Sequence, residues 1–201
     1  NRPLHYWSFL PEPVRPWFVR RIRIIGPEST GKTVLARKLA AQYQTVRVSE
    51  YARSWIDLHS NLCRAEDFER YVQGQIAAED ALARQANRLL ICDTDPFTTQ
   101  LWSRLLFGHC PAWIEVAARE RHYALTLVTS PDTPWVDDGQ RYQPDIAGRR
   151  AFFADCLAAL DAAHQRYVVL QGNWEQRFHD ACAAVNRVLA EGGCLPDESE
   201  S

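Results

Sequence analysis

Gly26 to Thr33 reads G-P-E-S-T-G-K-T, a match to the pattern G-x-x-x-x-G-K-[ST] that cradles nucleotide phosphates. Gly26 and Gly31 let the backbone turn tightly and aim its N–H groups at phosphate oxygens, helped by the positive end of a following helix. Pro27, Glu28, Ser29 and Thr30 form the body of the loop. Lys32 would reach the β- and γ-phosphates, the Thr33 hydroxyl would ligate Mg²⁺, and Val34 lies against the same loop. A chance glycine turn could share the pattern, so the flanks decide. Arg21 to Ile25 alternates basic and β-branched residues, as a short strand does, and an amphipathic run from Val34 to Ala41 follows. Strand, glycine-bounded loop and helix stand in the order a phosphate-binding loop requires. This chain binds a nucleoside triphosphate.

The elements that must position this loop are read from periodicity. Thr45–Ser49, Arg88–Cys92, Tyr123–Thr129 and Tyr167–Leu170 read as further short strands, Arg88–Cys92 being a continuous apolar run suited to a buried parallel sheet and Tyr123–Thr129 another buried strand. Helical patterns cover 66–87, broken only by Gly74, then 98–107, 112–121, 150–165 and 174–190. Such alternation predicts an α/β three-layer sandwich with a parallel sheet of about five strands, the fold of P-loop NTPases and kinases. Residues 1–19, rich in proline and aromatics, read as a connector packed onto the domain. Residues 20–191 form the domain, and 192–201 an acidic, frayed tail. Within the domain, a lid is expected at about 132–150, because a long stretch without periodicity in a compact domain is usually functional.

Parallel sheets place their sites beyond the carboxyl ends of the strands. Glu50, Tyr51, Arg53 and, one turn on, Trp55 follow the second strand; Asp93 and Asp95 follow the third. The long loop after the fourth strand carries Trp135, Asp138 and Arg141, and Trp174 and Arg177 follow the fifth. Asp93, ending an apolar strand, has the placement of a carboxylate that holds Mg²⁺. Asp95 fits a helix N-cap better than a ligand. Glu50 is a carboxylate placed to serve an acceptor hydroxyl, and Arg53 would pair with it or lie on a solvated helix face. Arg141, on the lid, would neutralise charge on a transferring phosphoryl group, with Arg149 and Arg150 in reserve. Trp174 suits either an adenine ring or the core, and Tyr51, Trp55 and Trp135 suit either a planar substrate or packing.

Composition narrows the class. The chain has 201 residues, 46% of them hydrophobic, and a formal net charge of −2, which suits a single globular domain and gives no bulk attraction to nucleic acid. The basic run at Arg20–Ile24 reads as a strand margin. The six cysteines are far apart and never form C-x-x-C, and the six histidines are scattered, so neither a disulfide framework nor a zinc site is indicated. No apolar run approaches the roughly 20 residues of a membrane span, and a cytoplasmic protein is expected. There is no methionine, not even at position 1, so a portion of a longer protein is expected.

GPESTGKT, EYAR, ICDTD and PWVDDGQR, in that order and spacing, resemble the ribosylnicotinamide kinase domain of NadR-type NAD biosynthesis proteins. The resemblance runs from Val19 to about Ala190, and YWSFLPEPVRPWF is similar to the link that follows the family's adenylyltransferase domain. It implies ATP- and Mg²⁺-dependent phosphorylation of nicotinamide riboside on its 5′-hydroxyl, with ATP and the riboside as partners and an adenylyltransferase domain preceding in the parent protein. By position, Gly31, Lys32 and Thr33 take the nucleotide and metal roles. Glu50, Tyr51, Arg53, Asp93, Asp138 and Arg141 fall on substrate and lid motifs, and 172–177 resembles the loop beside adenine. The motifs leave open whether Asp93 or Glu50 is the base. A pyridinium substrate carries a fixed positive charge, which suits a pocket of carboxylates and aromatics. The alternatives are a P-loop kinase for another nucleoside and an ATP-hydrolysing switch acting through a partner.

Overall fold

The computed structural model describes residues 4–59, 63–136 and 145–191. Five parallel strands, β1 (Arg20–Ile25), β2 (Arg47–Val48), β3 (Leu89–Asp93), β4 (Leu125–Thr129) and β5 (Tyr167–Leu170), lie in the order β2-β3-β1-β4-β5. Parallel neighbours need crossovers, and helices supply them. A short α1 (Arg15–Phe18) precedes β1. Then come α2 (Lys32–Gln42), α3 (Tyr51–Leu58), α4 (Phe68–Ala83), α5 (Pro96–Phe107), α6 (Ala112–Glu120), α7 (Ile146–Ala162) and α8 (Trp174–Glu191). The expected three-layer sandwich is present.

Strand alternation divides the core between the two faces. Ile22 and Ile24 of β1, Leu89 and Ile91 of β3, and Leu125 and Leu127 of β4 pack with Leu35 and Leu39 of α2 and with Ala181 and Val185 of α8. Ile25 and Val128 pack on the opposite face with Phe97 of α5 and with Phe152, Cys156 and Leu160 of α7. Leu90 and Cys92, beside them on that face, meet Ala83 of α4. β1 is central in the order, so the loop that follows it opens at the middle of the sheet's carboxyl edge.

Several details differ from the sequence reading. Gly74 does not break its helix: α4 runs through it, because the ring of Tyr51 lies where a side chain would stand, 2.2 Å from an ideal Cβ. α4 also ends at Ala83 rather than Asn87. α7 starts at Ile146 rather than Arg150, with Asp145 as N-cap accepting from the Gly148 N–H at 2.6 Å. Edge strand β2 is two residues long, Arg47–Val48 rather than the expected Thr45–Ser49, and pairs with β3 alone.

The basic run before the phosphate loop holds a further correction. Arg23 is no strand margin but a buried residue, 1% exposed, held at 2.5 Å from Asp95 and at 2.7 Å from the Thr126 hydroxyl. The rings of Phe97 and Tyr123 lie 4.6 and 4.8 Å from its guanidinium. The entry segment packs only in part: Leu4 and Trp7 are buried against the domain, while Phe9 and Trp17 stay exposed.

Candidate active site

The phosphate loop is held by its own hydroxyls. The buried Thr30 hydroxyl lies 2.8 Å from the Pro27 carbonyl and 2.6 Å from the Thr129 hydroxyl, which lies 3.1 Å from the Ile25 carbonyl, two hydroxyl protons being shared among the three contacts. This chain of oxygens stitches the loop to the end of β4. Gly31 takes φ 78° to hand the chain into α2, and the indole of Trp174 lies directly against it. Lys32 folds back, its Nζ donating to the carbonyls of Gly26 at 2.9 Å and Pro27 at 2.7 Å. Burial lowers its proton affinity, while Glu50, Asp93 and Glu28 pull the other way. An ammonium held in the loop by carbonyls can transfer its hydrogen bonds to phosphate oxygens without desolvation from bulk water.

A cavity of about 380 Å³ opens beside the loop. Glu28, Ser29, Thr30, Gly31, Lys32, Thr33 and Val34 form one end. Glu50, Ala52, Arg53 and Ile56 from α3, Phe68 and Tyr71 from α4, and Thr98, Thr99 and Trp102 from α5 form the other. A phosphate end and an acidic, aromatic end therefore share one space. Glu50 lies 3.6 Å from the Arg53 guanidinium. Burial in the cleft and the nearby Asp93 raise the Glu50 pKa above the usual carboxylate value, against the pull of Lys32 and Arg53.

Asp93 is 1% exposed, and neither carboxylate oxygen has a hydrogen-bond partner among the described residues. Two orphaned oxygens on a buried carboxylate are costly unless a cation meets them. With the Thr33 hydroxyl of the phosphate loop, the donor set fits a hard divalent cation such as Mg²⁺.

Other sequence candidates take different places. Asp95 is fully buried and does not line the cavity. One oxygen meets Arg23; the other caps α5, accepting from the Thr98 N–H at 3.0 Å and its hydroxyl at 2.7 Å. It is a structural residue, not a substrate ligand. The Tyr51 ring packs on Gly74. Trp55 stacks on His59 at 4.0 Å, with the Arg70 guanidinium 5.3 Å from its ring. Neither aromatic lines the cavity. Trp135 is half-buried and also off the cavity wall, but its neighbour Val136 donates its N–H to the Ser29 hydroxyl at 2.7 Å, and Thr133 bonds the Ser29 carbonyl at 3.0 Å. The start of the expected lid is thus tied to the phosphate loop. Asp138 and Arg141 lie outside the described residues. Arg149 belongs to α7, buried, and donates to the Thr133 carbonyl at 3.3 Å.

A second cavity, of about 280 Å³, lies beside α2 between Val34, Lys38, Trp174 and Phe178. Arg177 shapes it from behind. Its buried guanidinium donates to the carbonyls of Gly172, Thr30 and Ser130 and to Asp132, 5.5 Å from the Trp174 ring. Sequence reasoning missed Thr129, Gln75, Thr98 and Trp102. Nothing in their local pattern separates them from ordinary helix and strand residues.

The comparisons agree with this fold. The chain is 29% identical over 198 residues to the trifunctional NAD biosynthesis/regulator protein NadR of Salmonella typhimurium, a match covering 96% of this chain and 48% of that protein. The chain thus spans about half the length of the curated relatives it matches. A crystal structure of NadR protein in complex with NR superposes with a TM-score of 0.82 at 23% identity, covering 100% of this chain and 58% of that one. A second, of NadR protein with NAD and AMP-PNP, gives 0.77 at 20% identity, over 98% of this chain and 56% of that one. The sequence is homologous to NadR. The family model described as AAA domain matches residues 21–177, the span from β1 to the arginine behind the second cavity, and the chain belongs to that family of P-loop domains.

Proposed function

We propose that this domain is a ribosylnicotinamide kinase, transferring the γ-phosphoryl group of ATP to the 5′-hydroxyl of nicotinamide riboside to give nicotinamide mononucleotide in a cytoplasmic NAD salvage reaction. The observation that carries the reading is the single cavity joining the phosphate loop to a pocket bearing Glu50, Arg53, Phe68, Tyr71 and Trp102. Carboxylate and aromatic faces both favour a cationic ring. Homology to a NAD biosynthesis protein and its structure with NR support the same substrate.

In this reading ATP lies with its phosphates on 26–33 and its adenine towards the second cavity, beside Trp174. Asp93 and the Thr33 hydroxyl hold Mg²⁺, which supplies charge neutralisation on the phosphates. Glu50 is the general base: it lines the cavity, and its raised proton affinity suits it to accept the proton of the acceptor hydroxyl. Lys32 releases the loop carbonyls and binds the transferring group. Arg141 would close over the phosphates from the lid, and Asp138 would face the substrate. The preceding adenylyltransferase domain expected from the connector at 1–19 belongs to the same proposal, as the relatives are about twice as long.

An ATP-coupled assay of nicotinamide riboside against a panel of ribo- and deoxynucleosides tests this. Nicotinamide riboside should be turned over with the highest kcat/KM. Preference for another nucleoside overturns the substrate, and ATP hydrolysis indifferent to every acceptor overturns the kinase.

A further inference from the structure

Gly74 and Gln75 stand side by side in the middle of α4, away from the phosphate loop, and both contact Tyr51 at the start of α3. Gln75 is 2% exposed. Its side-chain oxygen accepts from the Tyr51 N–H at 3.1 Å, and its amide nitrogen donates to the Thr94 carbonyl at 3.5 Å. Tyr51 directly follows Glu50, and Thr94 directly follows Asp93. One amide group therefore bridges the two backbone positions next to the two carboxylates of the site.

Both bridged groups need such a partner. Tyr51 opens α3, and Glu50 at the N-cap offers no side-chain bond, so that first-turn amide has no partner within its own helix. Thr94 has φ 73°, a left-handed conformation that strains a non-glycine residue and persists only where its surroundings impose it. Its N–H is taken by the Ile24 carbonyl at 3.1 Å, and Gln75 takes its carbonyl. Gly74 completes the clamp. With no side chain there, the Tyr51 ring lies on the backbone of α4 and fixes the approach of α3.

We infer that Gly74 and Gln75 form a tether that sets the spacing between Glu50 and Asp93, making Gln75 a positioning residue for transfer to the acceptor. This rests on the kinase reading above, in which the acceptor hydroxyl meets Glu50 while Asp93 holds the metal. Misplacement of a reacting group by about 1 Å can cost 10²-fold in rate, and the tether governs a spacing of that kind.

The test uses Gln75→Met, which keeps the bulk and removes both bonds, and Gly74→Ala, which displaces Tyr51 from the same helix. Each should lower kcat for acceptor phosphorylation by about tenfold or more while the Kd for an ATP analogue changes less than about twofold. The double variant should be little worse than the poorer single, since both release one contact. Exchange of the Tyr51 amide, followed by NMR, should speed up by at least about tenfold in Gln75→Met. Unchanged kcat, or equal losses in kcat and ATP affinity, overturns the tether. If the parent chain prefers another nucleoside, the substrate reading fails and the same comparison is made with that acceptor. If it phosphorylates none, the kinase reading fails, and the amide exchange alone decides whether Gln75 holds α3; an unchanged rate sinks it.

Discussion

Arg23 and Asp95 meet at 2.5 Å with side chains 1% and 0% exposed, one from the central strand and one from the cap of α5. Removing one member of such a pair leaves a buried charge without compensation, at about 3–5 kcal/mol. Asp95→Ala should lower stability by that amount, and loss of the α5 cap adds to it. Arg23→Met combined with Asp95→Ser, which keeps a capping oxygen and removes both charges, should be more stable than Asp95→Ala. Urea unfolding of the variants decides, and a double variant at least as unstable as the additive expectation would show that the pair is not coupled.

That pair also marks where the sequence stopped being informative. The phosphate loop was legible because its chemistry is local: a glycine-bounded run, a lysine and a threonine between a strand and a helix. β3 and β4 were legible because strands buried on both faces read as continuous apolar runs. Arg23 was not, since alternation along a strand says which residues share a face and nothing about whether that face is covered. Gly74 was read as a break because a glycine lowers helix propensity by about 1 kcal/mol; the Tyr51 ring that occupies its place comes from a distant part of the chain. Asp145-Ile146-Ala147-Gly148 holds an N-cap signal for α7, but it lies inside a stretch whose prolines and glycines hide the start of a helix. In the site, Glu50 and Asp93 were found from their positions after strands. Thr98 and Trp102 line it only through packing, and Gln75 touches only the backbone beside Glu50 and Asp93.

Lys32→Ala tests the donor end. Its ammonium is the one cation of the phosphate-loop motif, bound to loop carbonyls and drawn towards Glu50 and Asp93. Loss of one preorganised donor of this kind costs about 10²–10³-fold in kcat, and phosphorylation should fall at least that far. Circular dichroism should show an intact fold, because the Pro27 carbonyl keeps the Thr30 hydroxyl as a partner. Near-normal turnover would remove Lys32 from the mechanism.

Glu50 gives a pH dependence with two signs. Burial and Asp93 raise its pKa, so the folded chain holds that proton more tightly than the unfolded chain. Stability from this group is full below the ordinary value of about 4.3 and is lost as pH rises through the raised one. At pH 7 Glu50→Gln should therefore be at least as thermostable as the parent. Activity runs the other way: a base must be ionised, so kcat/KM falls as pH drops through the raised pKa. Glu50→Gln should lose most of its turnover together with that acidic limb. A variant that keeps the limb would move the role of base to another residue.

Gly31 and Trp174 tie the phosphate loop to the second cavity, and their contact separates two reasons for the glycine. An alanine at position 31 would hold φ 78°, and its Cβ would stand 2.4 Å from the indole. The backbone conformation alone costs about 1–2 kcal/mol for a side chain; the collision adds to it. Gly31→Ala should lower stability beyond that backbone figure and weaken ATP binding by about tenfold or more. Trp174→Ala alone should weaken ATP binding by roughly 2–10-fold, the worth of one aromatic contact to adenine. In the double variant the collision is gone and the backbone strain remains, so thermal stability should rise above that of Gly31→Ala without reaching that of Trp174→Ala. Recovery to the Trp174→Ala level would assign the whole effect to the indole, and Gly31→Ala with parental stability and ATP affinity would dismiss both causes.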